Sequence, residues 1–240
     1  MASNQDKIVN FYNTYAEDAR ATKSPSGNIE FYYTEKLVGE FIKPDAQVLE
    51  LGCGTGHYGM IFADRCHQYT AVDLSPHNID IFNRKISTHK KLNLKTMVGD
   101  ATRLDQLDND SFDVVLCLGP MYHLPEDERS KVFDECRRVA RDGAIMIFAY
   151  INRLGAYVGA CIHDPLRDIY PNADANRYVF EESTDDVNTG IFFYTSPEEM
   201  EQAADGKGLQ VLKHCGVDFF FTDSAVDQMD AEQLRCFPMI

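Results

Sequence analysis

Positive charge is scarce in this sequence. Lys and Arg total 23 against 38 Asp and Glu, a formal net charge of −15, and no basic run is longer than Lys90-Lys91. That balance repels phosphates and disfavours tRNA, rRNA and DNA as partners. Long apolar runs are missing too: no stretch approaches the ~20 apolar residues that cross a bilayer. The opening residues Met1-Ala2-Ser3-Asn4-Gln5-Asp6 lack the apolar segment of a secretory signal. A cytoplasmic chain with no membrane partner is expected. The seven cysteines (53, 66, 117, 136, 161, 215 and 236) contain no C-x-x-C pair, and the seven histidines no H-x-H or H-x-x-x-H spacing. They read as reduced, packed thiols and scattered imidazoles, with no metal site expected. No Ser-His-Asp constellation, repeat or low-complexity tract is present.

A chain of 240 residues suits one sizeable α/β domain. Ile8, Val9, Phe11, Tyr12 and Tyr15 line one face of a helix between Gln5 and Arg20, and Phe31 to Ile42 carries a second helix that Pro44 stops. Strand-like and helix-like segments then alternate. Strands are expected at Gln47–Leu51, Tyr69–Leu74, Leu94–Val98, Phe112–Leu118 and Ala144–Tyr150. Ser75-Pro76 reads as an N-cap followed by Pro at the first helical position. Pro125 with Glu126, Asp127 and Glu128 opens another helix, which Gly143 is expected to end. This alternation argues for a doubly wound, mostly parallel sheet. From Asn152 to about Gly190 the chain is polar and irregular and reads as an insertion after strand five. Ser196-Pro197-Glu198-Glu199 is a capping-box start, and Leu209–Val217 and Asp218–Phe221 are the last strand-like pieces.

The strongest constellation is Val48-Leu49-Glu50-Leu51-Gly52-Cys53-Gly54-Thr55-Gly56, a strand running through a glycine turn into a helix. Backbone amides there favour ligand groups brought close, and a Cβ would obstruct them. Asp73 ends the second strand, where an acid can accept the hydroxyl hydrogens of an adenosine ribose. These residues signal an adenosine cofactor without naming it. Gly54-Thr55-Gly56-His57-Tyr58-Gly59 also satisfies G-x-G-x-x-G, so an NAD(P)-dependent oxidoreductase stays open on the residues alone.

Taken together, ELGCGTG, AVDLS, GDATRL and FDVVLCLGPMYHL resemble, in order and spacing, successive motifs of class I S-adenosylmethionine (SAM)-dependent methyltransferases, from about Val48 to Tyr150. The resemblance implies a Rossmann-like sheet of seven-stranded type, with SAM as cofactor, S-adenosylhomocysteine as product and a small-molecule acceptor. It further implies that Glu50 holds the methionine end through the loop of Gly52, Cys53, Gly54 and Gly56. Asp73, beside Leu74, takes the ribose; Asp100-Ala101 takes the adenine; Leu118 and Gly119 face the transferable methyl. Leu118–Leu124, with Phe11–Tyr15 and Arg20, is similar to bacterial small-molecule methyltransferases distantly related to quinone-biosynthesis C-methyltransferases, in which an N-terminal helix covers the cofactor. Tyr15 and Arg20 are the implied covering residues. SAM carries its own activated methyl, so transfer is an in-line displacement that needs positioning more than acid-base machinery. Tyr122 and His123 are the proton-handling candidates beside it.

On this reading the 240 residues form one domain: 1–44 a helical cover, 45–150 the SAM-binding core, 151–195 an insertion or acceptor lid, and 196–240 the C-terminal part of the sheet. The family's closing C-terminal hairpin has no clear final strand here, which leaves a SAM-binding module with little turnover as a further alternative. The acceptor atom and the oligomeric state are not legible.

Overall fold

The structure is a computed structural model and describes residues 3–14, 25–91, 93–162 and 191–217. The chain divides into two units, one of Met1–Ala19 with Glu35–Tyr150 and one of Arg20–Thr34 with Ile151–Ile240.

In the first unit the strands are β1 (Gln47–Leu51), β2 (Gln68–Asp73), β3 (Leu94–Val98), β4 (Phe112–Cys117) and β5 (Ala140–Phe148). They form one sheet in the order β3-β2-β1-β4-β5, every pair parallel. The expected parallel α/β architecture stands, with five strands among the described residues. A strand covered on both faces reads as a continuous apolar run. Val48, Leu49 and Leu51 of β1 and Val115, Leu116 and Cys117 of β4 are accordingly fully buried.

The helices of this unit are α1 (Asn4–Thr14), the end of α2 (Pro25–Gly39), α3 (His57–Phe62), α4 (Pro76–His89) and α5 (Glu126–Val139). Ser3 caps α1: its Oγ accepts from the Asp6 amide at 3.1 Å while Asp6 Oδ2 accepts from the Ser3 amide at 3.0 Å. That reciprocal pair satisfies two donors that a helix start leaves open. Ser75 caps α4 through the Asn78 amide, with Pro76 in the first turn, as the sequence suggests. In α5 the acids occupy the first turn and Arg137 and Arg138 the last, complementing the helix dipole at both ends.

Four expectations need correction, two of them in the first unit. Regular α2 ends at Gly39, ahead of Pro44. A Cβ at Gly39 would stand 2.9 Å from an Arg65 guanidinium nitrogen, and Arg65 Nη2 donates to the Gly39 carbonyl. Gly143 does not end α5: the helix stops at Val139 and β5 begins at once. Gly143, at φ +76°, instead lies where the β4–β5 register shifts, between the Phe112 and Val114 pairings. Such an irregularity is a usual place for a left-handed glycine.

The other two fall in the second unit, where the segment read as irregular contains α6 (Arg153–Ile162). Asn152 Oδ1 accepts from the Leu154 amide, so a side chain caps the start. The helix α7 (Pro197–Gly206) has the expected capping box between Ser196 and Glu199. Burial pushes the Glu199 carboxyl up, but donors from Arg153, Thr195 and the Ser196 amide outweigh it and hold the group below its ordinary range. Leu209–Val217, read as strand-like, has no strand. Val211 and Leu212 are exposed, and no described segment pairs with them. Asp218–Phe221 lies outside the described residues.

Candidate functional site

Leu51 ends β1 and the chain turns through the glycines. The amides of Gly52 and Cys53 both donate to the Val72 carbonyl, at 2.8 and 3.1 Å, which ties the turn to the end of β2. Gly52, Gly54 and Gly56 have φ of +72°, +53° and +88°. Side chains avoid these angles. The packing adds a second requirement at two of them. A Cβ on Gly52 would lie 2.7 Å from Pro120 Cδ, and one on Gly56 would lie 2.1 Å from the Phe82 ring. The space expected to belong to a ligand is filled, at Gly52 and Gly56, by the chain's own Pro120 and Phe82. Cys53 is buried in the turn, and burial pushes its thiol up.

Asp73 is buried at the end of β2 and holds this loop in place. Its Oδ2 accepts from the Gly54 amide at 2.8 Å, and its Oδ1 from the Ser75 amide at 2.8 Å and Asn78 Nδ2 at 3.1 Å. Burial raises the carboxyl, while these three donors draw it back down; the net shift is upward. A carboxylate has about four lone-pair sites, so one remains for an incoming hydroxyl, on Oδ2. Asn78, which the sequence reading passed over, belongs to this arrangement; Leu74 beside it is half-buried.

Glu50 lies below the edge, in the sheet itself. It is 1% exposed and accepts from the Tyr69 hydroxyl at 2.9 Å. Burial raises its carboxyl to about 8. It therefore stands behind the glycine turn, paired with Tyr69.

The end of β3 supplies Asp100, with Ala101 buried behind it. Its Oδ1 accepts from the Thr102 amide at 2.9 Å, a local turn that fixes the carboxylate. Its Oδ2 accepts from the side-chain amide of Gln5 on α1.

The end of β4 supplies half-buried Leu118 and then Gly119. A Cβ on Gly119 would lie 3.0 Å from the Gly52 carbonyl, so the two loops meet backbone to backbone. The turn Pro120–His123 follows, and His123 is buried. Its Nε2 lies 2.8 Å from the Tyr12 hydroxyl, with the two rings edge to face, and its carbonyl accepts from Asn4 Nδ2 at 2.9 Å. The Tyr122 ring packs on the His123 ring at 4.7 Å between centroids. Arg129 of α5 donates to the Leu124 carbonyl at 3.0 Å and secures the far end of the turn.

One helix thus reaches the ends of three strands: α1 touches Asp100 through Gln5, Ser75 through Asn13 and His123 through Asn4 and Tyr12. The sequence pointed to a covering N-terminal helix but singled out Tyr15 and Arg20, which lie outside the described residues. Of the residues that make the contacts, Tyr12 belongs to the apolar face read from the sequence, whereas Asn4, Gln5 and Asn13 are polar and have no helical periodicity to reveal them.

Apart from Glu50, these groups lie at the carboxyl edge, around the point where the order reverses between β1 and its neighbours β2 and β4. Doubly wound sheets bind their ligands there. Residues 48–143 match the family model of a methyltransferase domain. The chain is a SAM-dependent methyltransferase, and SAM is its cofactor. It is a distant relative of the quinone-biosynthesis methyltransferases. It is 25% identical over 197 residues to the ubiquinone biosynthesis O-methyltransferase of Coxiella burnetii, a match that spans 79% of this chain and 76% of that one. It is 24% identical over 136 residues to the malonyl-[acyl-carrier protein] O-methyltransferase of Serratia marcescens, with coverage of 57% and 48%. Among solved structures, a protein from Pyrococcus horikoshii has the same fold at a TM-score of 0.59 and 20% identity, with coverage of 82% and 88%. A SAM-dependent methyltransferase from Methanosarcina mazei matches at 0.55 and 19%, with coverage of 71% and 82%. The oxidoreductase alternative has nothing behind it but the offset glycine count.

Proposed function

We propose that this enzyme methylates a small-molecule acceptor in the cytoplasm, with the cofactor held along the ends of β1 to β4. The observation that carries this reading is the Asp73 carboxylate. It fixes the glycine turn through Gly54 and keeps one acceptor position for a ribose hydroxyl. Asp100 accepts the adenine amine, beside Ala101. Gly52, Cys53, Gly54 and Gly56 let the backbone come close, Leu74 and Leu118 line the cofactor, and Glu50 supports the methionine end from behind the turn. Tyr15 and Arg20 are assigned to the cover with α1.

When bound, SAM supplies a methyl group on a positive sulfonium, which an acceptor lone pair displaces in line. The chain's own task is positioning and exclusion of water. His123 with Tyr12, and Tyr122 beside them, are the groups proposed to take a proton from the acceptor. The net charge of −15 favours a cationic cofactor over a polyanionic acceptor, which supports a small molecule in preference to nucleic acid. Residues 1–44 are assigned to the cover, 45–150 to cofactor binding and 151–195 to the acceptor.

Calorimetry with S-adenosylhomocysteine tests the cofactor reading. Wild-type protein should bind and Asp73→Ala should lose most of the heat; a silent wild type would overturn it. Transfer of labelled methyl from SAM into a cell extract, fractionated into metabolites, protein and RNA, tests the acceptor class. Label confined to RNA or protein would refute a small-molecule acceptor.

A further inference from the structure

The contact between α1 and Asp100 is a precise one. The Ser3–Asp6 capping box fixes where α1 begins and so places Gln5 in the first turn. The helix is then held by contacts independent of Gln5: Asn4 to the His123 carbonyl, Tyr12 to the His123 ring, Asn13 to Ser75, and buried Ile8. With the backbone placed by these, the Gln5 amide reaches Asp100 Oδ2 across 95 residues of sequence. Gln5 is exposed, so apolar packing does not explain its position.

We propose that Gln5 is a specificity residue for the cofactor's nucleobase, acting together with Asp100. The inference rests on Asp100 being the adenine-reading acid. Asp100 Oδ1 accepts from the Thr102 amide and Oδ2 from Gln5, so of about four lone-pair sites on the carboxylate two are left for a ligand. Gln5 gives Oδ2 one of its two N–H groups and so holds this oxygen in place, with lone pairs of the carboxylate still open to the base. An exocyclic amine is satisfied by the carboxylate held in this way, whereas a carbonyl at the same position of the base faces its lone pairs and is repelled. Unlike Asp100 alone, the pair also ties base recognition to the presence of α1. A cofactor bound at Asp100 with α1 in place is read by both residues.

The test compares S-adenosylhomocysteine with its hypoxanthine counterpart, S-inosylhomocysteine, by calorimetry on the full chain. Wild type should prefer the adenine ligand. Gln5→Met, similar in length but without the amide, should weaken the adenine ligand by about tenfold, the scale of one hydrogen bond to a charged group, and leave the hypoxanthine ligand unchanged. Equal weakening of both ligands, or no change in either, would overturn the role of Gln5. Asp100→Ala separates the two readings: if it retains full affinity for S-adenosylhomocysteine, the adenine assignment itself falls, and Gln5 with it. If Asp100→Ala weakens binding and Gln5→Met does not, only Gln5 falls. Should Gln5→Met be poorly folded, side-chain amide resonances of the wild type supply the readout. The Gln5 NH2 pair should shift on adding S-adenosylhomocysteine and stay still on adding homocysteine; the absence of that difference would also refute the proposal.

Discussion

Glu50 is a carboxyl where the strand pattern calls for an apolar side chain, and its burial has a measurable consequence. Its ordinary value is 4.5 and the folded chain raises it to about 8. Between those values the folded chain keeps a proton that the unfolded chain has released, so its contribution to stability falls as pH rises through that window. Asp73, also shifted upward, acts in the same sense. Glu50→Gln keeps an acceptor for the Tyr69 hydroxyl and removes the ionisation. Its denaturation midpoint should gain on wild type as pH rises from about 5 to about 8. A constant difference over that range would mean that Glu50 is already ionised in the fold. The identity of Glu50 was legible from the motif, but its surroundings were not. Nothing in Val48–Leu51 says that Tyr69, on the neighbouring strand, supplies the donor; that pairing is set by the β1–β2 register. Similarly, Gly56 was legible as a glycine position and Phe82 was not, because the ring arrives from a helix 26 residues further on.

At the scale of elements, the helix starts were the most readable features. Ser75, Ser196 and the acids of α5 are local signals that act within one turn, and the structure honours each. Ser3 was missed although it makes the same kind of cap, because the sequence reading placed the start of α1 at Gln5. It offers a direct test. Ser3→Ala should cost α1 about 1 kcal/mol, seen as faster amide exchange in the helix with protection in β1 and β2 unchanged. Equal acceleration in the strands would show that α1 and the sheet open together. The cap also depends on pH. Hydrogen bonds from the Ser3 side chain and amide hold the Asp6 carboxyl below its ordinary value, so the stabilisation it brings is lost as pH falls through that lowered value. Less readable were the end of α2 and the bulge at Gly143, which depend on Arg65 and on the β4–β5 register.

For the whole molecule, the excess of acid has an effect on ligand choice. SAM bears a sulfonium charge that S-adenosylhomocysteine lacks, and a field from many carboxylates attracts the cation over distances that salt shortens to about 10 Å at 0.1 M. The affinity of SAM relative to S-adenosylhomocysteine should therefore fall as sodium chloride is raised. A ratio that does not move with salt would confine the discrimination to short-range contacts at the site. The parallel sheet was legible in the sequence because motif after motif sits at a strand end; the strand order comes from the structure. Which helix crosses those ends, and through which side chains, was not.

That crossing also bears on the order in which the chain is assembled. Asn4 and Tyr12 find their partner in His123, 119 and 111 residues further along. At roughly 5–20 residues per second, ribosomes need on the order of ten seconds to deliver that partner after α1 is made. During synthesis the helix has its own cap but no surface to dock on. The helix is made ahead of every strand of the sheet and cannot be fixed until His123 follows β4, so newly made chains pass through a stage in which α1 stands formed but undocked.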